Sequence, residues 1–186
     1  MNNWFETRKG LLDRAWHELA RGVDEAGATA RLPVLATVGA DGGPRARTLA
    51  LRRADSGAGL VDLHTDATTP KNDELRANPL AALHLWLPDI TLQIRLRGPI
   101  DVLTGADVDA DWARVPTFSR GNYGVVPAPG TSIVMADAFD RHPDRTKFAV
   151  LRMRVDAIDL VHLGEPHHRR AGFTRADGFA GQWLAP

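Results

Sequence analysis

The sequence predicts a mainly β protein with a few short helices, built as a closed or partly closed antiparallel barrel of six or seven strands. Three observations carry that expectation. Apolar runs after residue 32 are short and often alternate with polar residues, which is the period of a strand rather than a helix. Tight turn signals separate them: Asp41-Gly42-Gly43-Pro44, Asp55-Ser56-Gly57-Ala58-Gly59 and Pro88-Asp89. The 186 residues suit one domain, spanning 1–186, and many short-linked strands in one domain protect their edges best by closing on themselves.

The elements follow in order. Residues 1–28 hold an N-terminal helix, with Trp4, Leu11, Leu12, Ala15, Trp16 and Leu19 at helical spacing over 3–22 and Gly22 and Gly27 ending it. It is a packing helix or an arm over a site or partner. Residues 34–38 form a first strand, 45–53 return from the hairpin, and 60–65 complete a meander. Thr68 and Thr69 can cap a short helix whose first turn holds Pro70 and which ends near Asn78-Pro79. Strands over 80–87 and 91–103 follow, then a surface helix over 105–114. The Pro- and Gly-rich segment 115–130 is a long loop, functional or mobile. Residues 148–163 read as a strand bent near Asp156, and a tail strand includes 172–175 and ends at Trp183.

Composition narrows the function. With 44% hydrophobic and 25% charged residues, disorder is excluded. Lys+Arg and Asp+Glu both number 23, which argues against a general electrostatic grip on nucleic acid or an anionic membrane. There is no cysteine, so disulfides, Cys-based zinc sites and thiol nucleophiles are excluded. No apolar stretch approaches the roughly 20 residues of a membrane span. Glu6, Arg8, Lys9 and Asp13 interrupt the start of the chain, unlike the apolar segment of a signal peptide. A cytoplasmic protein is expected.

The usual chemical motifs are missing. No glycine-rich phosphate cradle, nucleophile elbow or H-E-x-x-H occurs. His162, His167 and His168 lack metal spacing and read as a solvated or hydrogen-bonded cluster, so no metal is expected. What remains is polar residues at strand ends. Arg47 shares a strand face with Leu49 and Leu51, while Arg52 lies on the other face unless a bulge intervenes. His64-Thr65 closes a strand, and Thr69 and Lys71 stand at a helix start, where free N–H groups favour a phosphate. Gln93 shares a face with Arg95 and Arg97. Trp86, within an apolar run, reads as core. Each alone has an ordinary explanation as a rim charge or satisfied amide; together they could hold a phosphate monoester.

The ordered set Arg47-Thr48-Leu49-Ala50-Leu51-Arg52, Leu63-His64-Thr65-Asp66, Thr69-Pro70-Lys71, Asn78-Pro79, Trp86 and Leu92-Gln93-Ile94-Arg95-Leu96-Arg97-Gly98 resembles the pyridoxamine 5'-phosphate oxidase-like family, over about 30–103 and more weakly from 147 onward. The resemblance implies a split β-barrel of Greek-key type, a homodimer, and FMN in clefts at the subunit interface. It implies FMN contacts from Arg47, Thr48, Leu49, Arg52, His64, Thr65, Thr69, Lys71, Gln93, Thr131 and Arg170, with Arg47 on the phosphate and Arg52 near the ring. His168, Tyr123 and Arg120 are weaker candidates for a small-molecule substrate, and no residue is assigned a catalytic role. The chain departs from the oxidases where those touch the vitamer: His162 stands near their Trp position, Pro166 replaces a substrate Arg, and residues 118–123 do not reproduce their phosphate loop. A divergent FMN-dependent oxidoreductase acting on another small substrate is therefore expected, with oxygen or a nicotinamide as redox partner. A flavin carrier, store or sensor without turnover is the alternative, and a barrel for some other ligand, or none, is a third.

Overall fold

The computed structural model describes residues 3–186. A single 3-10 turn, Trp4–Glu6, precedes helix α1, Arg8–Asp24, whose start is set by Thr7: its hydroxyl accepts from the Gly10 amide. The helix is therefore shorter at its beginning than the spacing predicts. It also runs through Gly22 instead of ending there. Gly22 is buried against the Ala30 backbone, where an added Cβ would stand 2.6 Å from the Ala30 carbonyl carbon. Close approach, not helix termination, explains that glycine.

The strands are β1 (Val34–Val38), β2 (Pro44–Thr48), β3 (Leu51–Asp55), β4 (Leu60–Asp66), β5 (Leu80–Leu87) and β6 (Leu92–Leu103), followed by β7 (Val125–Val126), β8 (Asp140–Arg141), β9 (Phe148–Arg154), β10 (Ala157–His162), β11 (Arg169–Thr174) and β12 (Gln182–Leu184). All pairings are antiparallel. One wing runs β2-β1-β5-β6-β10-β11-β12, and the other runs β3-β4-β9-β6. The long strand β6 belongs to both, which gives the split-barrel architecture. Its first half pairs with β10 and its last residues with β9.

The switch occurs at Gly98. An added Cβ there would lie 1.9 Å from the Arg154 carbonyl oxygen, while the Asp156 amide donates to the Arg97 carbonyl at 2.8 Å. The bend expected near Asp156 is the turn between β9 and β10 around this crossing.

The strand expected over 45–53 is in fact two. The chain leaves β1 after Thr48 and joins β4 from Leu51, so the three early strands do not form a meander in one wing. A register shift between Leu51 and Arg53 supplies the bulge that alternation alone leaves open. These divisions, together with the tail forming β11 and β12, raise the number of strand segments above six or seven.

Helix α2, Pro70–Ala77, packs against β1 and β6, and α3, Asp109–Arg114, follows a 3-10 turn at Gly105–Val108. The segment expected as a loop over 115–130 carries a one-turn helix α4, Thr117–Arg120, and the short β7, which pairs with β8. A large apolar core fills the barrel, including Leu35, Leu51, Leu63, Leu83, Ile94 and Leu151. A smaller one, Val108, Val115, Tyr123, Phe148 and Val150, lies under α3 and α4 on the other face of β4 and β9. Trp86 is not core. It is 42% exposed, because alternation along β5 turns Leu85 and Leu87 inward and Trp86 outward.

Candidate flavin site

Two groups of polar side chains flank the end of β4, on its opposite faces. On the Thr65 face, the Lys71 ammonium donates to the Thr69 hydroxyl at 2.8 Å and the Thr65 hydroxyl at 3.0 Å. Asn72, fully buried, donates to Thr69 Oγ1 and to the Asp66 carbonyl, while its own Oδ1 is buried without a partner. The Asp66 carboxylate accepts from the Thr68 amide at 2.8 Å and the Gly124 amide at 2.9 Å, which fixes the turn entering α2.

Arg47 reaches the same place from β2. It donates to Glu74 at 2.7 Å and to the Thr37 hydroxyl, which itself donates to Glu74 at 2.6 Å. Burial pushes the Lys71 amine down to about 8, and the Arg47 guanidinium pushes the same way, against the pull of Asp66 and Glu74. Lys71 pairs with no carboxylate among the described residues.

A half-buried ammonium, a guanidinium, two hydroxyls and the first-turn N–H groups of α2 suit a dianionic phosphate. The residues present therefore fit the phosphate of a mononucleotide.

On the other face of β4, Arg52, His64, Asp111, Arg114, Ser119 and Tyr123 bound a cavity of about 230 Å³, floored by Val115 and Pro116. Arg52 pairs with no carboxylate among the described residues. His64 packs edge-on against Phe148, with centroids 4.8 Å apart, and Phe148 in turn meets Tyr123 and Trp112. Burial pushes His64 down to about 4, with Arg52 and Arg114 adding repulsion. Burial pushes the Tyr123 phenol up, against the pull of the nearby Arg52 guanidinium.

The His64 shift has a measurable consequence. An unfolded chain would bind a proton on His64 near its ordinary 6.5, whereas the folded chain refuses it until about 4. Stability is thus fully present above 6.5 and falls as pH drops toward 4, by at most about 3 kcal/mol. Urea midpoints taken across this range should fall less steeply for His64→Asn. Part of the slope should remain, because burial also lowers His162.

The other expected residues are distributed as follows. Thr48 is exposed and Leu49 half-buried, its amide donating to the Pro33 carbonyl at 3.1 Å; both lie on the strip that joins Arg47 to Arg52. Gly130 rests against Pro70, which places exposed Thr131 beside the start of α2, though its side chain makes no hydrogen bond among the described residues. Gln93 and Arg170 are elsewhere. Gln93 faces His84 across β5 and β6 at 3.4 Å, and Arg170 donates to Asp159, which Arg95 also engages. Both belong to the open face of the β5-β6-β10-β11 wing, and they share no contact with Lys71 or Arg52.

Arg120 is turned from the cavity, donating to the Val115 carbonyl and lying 5.2 Å from the Trp112 ring centre. His168 is exposed between β10 and β11. His162 is no part of a solvated cluster. It is 6% exposed, stacked on Phe5 at 4.6 Å and edge-on to Trp4 at 5.0 Å.

Sequence reasoning misses Glu74, Thr37 and Asn72 around Arg47 and Lys71, and Asp111, Arg114 and Ser119 in the cavity. Glu74, about one helical turn after Lys71, is a readable signal. The cavity residues carry none, because the fold alone brings 111–123 over β4.

Comparisons with known proteins agree with this architecture. A family model for the pyridoxamine 5'-phosphate oxidase FMN-binding domain matches residues 13–104. A pyridoxine/pyridoxamine 5'-phosphate oxidase of Myxococcus xanthus is 39% identical over 158 residues, 78% of this chain and 76% of that protein. Another, from Thermosynechococcus vestitus, is 38% identical over 131 residues, 70% of this chain and 54% of its own length. Two more oxidases are matched over 40% and 47% of their lengths, so the chain spans about half of several such relatives. Among solved structures, a pyridoxamine 5'-phosphate oxidase-related, FMN-binding protein from Nostoc punctiforme superposes with a TM-score of 0.77 at 26% identity, over 94% of this chain and 96% of that one. Given this architecture and a relative sharing 39% of residues over most of its length, the chain belongs to the FMN-binding pyridoxamine 5'-phosphate oxidase family, and FMN is its cofactor.

Proposed function

We propose that this flavoprotein is an FMN-dependent oxidoreductase acting on a small organic substrate. One observation carries the reading: Lys71 and Arg52, both half-buried and both without a carboxylate partner among the described residues, lie on either side of the end of β4, and the strip 47–52 runs from Arg47, beside Lys71, to Arg52. Lys71, Thr65, Thr69 and Arg47 would hold the FMN phosphate, with the Thr48 and Leu49 backbone beside it. Arg52 and His64 would face the ring.

Bound FMN supplies the redox chemistry that these side chains lack. The chain supplies the rest. Arg52 places an uncompensated positive charge at the cavity wall, which stabilises negative charge developing beside it. His64 stays neutral above pH 4 and adds no competing charge. Tyr123, protonated at neutral pH, is a proton donor within the same cavity.

Gln93 and Arg170 enter this reading through a second copy of the chain. They are removed from Lys71 and Arg52 within one chain, yet both lie on an open sheet face that a partner could present to the cleft. A homodimer with FMN at its interface is therefore part of the proposal.

The test is direct. Purified protein should be yellow, release FMN on heating and behave as a dimer in light scattering. After anaerobic photoreduction, oxygen or an oxidised nicotinamide should reoxidise it. If neither changes the rate of reoxidation and no organic donor reduces the flavin, the enzyme reading fails and a carrier or sensor remains.

A further inference from the structure

Resting on that reading of the site, we propose that the cavity bounded by Arg52, His64, Asp111, Arg114, Ser119 and Tyr123 takes its substrate as a small planar monocarboxylate, and discriminates against phosphate monoesters. Of the two guanidinium groups lining the cavity, Arg114 already faces Asp111, Nη1 to Oδ1, at 3.6 Å. Asp111 lines the cavity as well, so the formal charges of that pair cancel, although the Arg114 side chain is largely exposed and that of Asp111 largely buried. His64 is neutral at working pH, and Tyr123 is protonated. Arg52 is left as the one uncompensated charge, which matches a monoanion. A dianionic phosphate would bring a second negative charge beside the Asp111 carboxylate, where the further cation of the lining, Arg114, already faces Asp111 and is otherwise mostly in solvent.

Shape points the same way. About 230 Å³ is less than the 300–1,000 Å³ usual for drug-sized ligands. The Tyr123 ring and the Val115 and Pro116 floor present flat or apolar walls. A guanidinium fork meets a carboxylate with two parallel hydrogen bonds, and the Tyr123 and Ser119 hydroxyls are further donors within the cavity. A single unsaturated ring bearing one carboxylate fits these terms.

The experiment is titration calorimetry of the FMN-loaded protein at neutral pH with three probes built on one phenyl ring: benzoate and benzamide, which are planar and of one size, and phenyl phosphate, whose group is tetrahedral and dianionic. Benzoate should bind at least about tenfold tighter than either of the others. Arg52→Gln should weaken benzoate about tenfold or more, and by a larger factor than it weakens benzamide. Arg52→Lys, which keeps the charge, should retain the preference for benzoate over benzamide. Asp111→Asn is decisive, since it frees Arg114 and should shift the benzoate-to-phenyl-phosphate ratio about tenfold toward the phosphate.

Tighter binding of phenyl phosphate by the unaltered protein overturns the proposal. So does an Asp111→Asn variant with an unchanged ratio, or no benzoate binding at millimolar concentration. FMN content, read separately from flavin absorbance, keeps the two readings apart. Protein that binds benzoate but not FMN refutes the flavin reading and leaves the carboxylate site standing. Protein that binds FMN yet prefers phenyl phosphate refutes the carboxylate site alone.

Discussion

Replacing Lys71 by methionine is expected to lower FMN affinity about 10- to 100-fold, the effect of losing one or two charge-assisted hydrogen bonds to a phosphate. The pH dependence makes the expectation specific. Burial and Arg47 hold the Lys71 amine at about 8 in the free protein. A phosphate beside it favours the ammonium form, so binding raises that value. FMN, dianionic once its phosphate has passed a second pKa near 6, should bind with nearly constant affinity around neutrality. Affinity should then fall as pH rises through about 8, because binding must then carry the cost of reprotonating the amine.

Lys71→Met should show a lower and flatter profile over that range. Lys71→Arg, charged throughout, should keep most of the affinity without the decline. Flavin fluorescence quenching over a pH series checks all three proteins. If the unaltered protein and Lys71→Met decline in parallel above pH 8, Lys71 is not the group that holds the phosphate.

Much of this seat is legible in the order of residues along the chain. Thr69, Pro70 and Lys71 carry the marks of a helix start, and Arg47 and Thr65 stand in a recognisable order around them. What local pattern does not show is who neutralises whom. Arg47 reads as a free cation, yet the fold gives it Glu74 and Thr37, partners from α2 and β1 that are distant in sequence. Lys71, the plainer helix residue by sequence, is the cation left without a carboxylate.

The division of 44–55 between two wings is hidden for a related reason. Alternation reports which way a side chain points and is silent about which strand lies alongside. The same limit applies to the face of Gln93 and Arg170: the resemblance puts their side chains at the flavin, and the fold places them on a sheet face removed from Lys71 and Arg52. Trp86 misleads for the opposite reason. Its apolar neighbours outweigh, in a plain reading, the alternation that does predict its exposure. Phe5 and Trp4 over His162 depend on a packing between chain ends that no spacing encodes.

The largest effect on stability is expected one step from the cavity, at the pair that ties β4 to β9. Asp62 is 2% exposed and accepts from Arg152 through both oxygens, from Nε at 3.0 Å and from Nη2 at 2.8 Å. The two residues are directly opposed in the strand register, and Asp62 is two residues from His64 on the same face of β4. Arg152→Ala would leave a buried carboxylate without its cation, which costs about 3–5 kcal/mol. Removing both charges together is a different perturbation. A double replacement, Asp62→Leu with Arg152→Leu, removes the buried carboxylate together with its cation, leaves only the neighbouring Asp101 and Asp111 charged, and should lie within about 2 kcal/mol of the native protein in urea denaturation. If Arg152→Ala and the double variant lose the same amount, the loss comes from packing rather than from an orphaned charge. If the charge argument holds, the double variant restores the β4–β9 wall and should recover benzoate binding along with stability, since neither side chain lines the cavity itself.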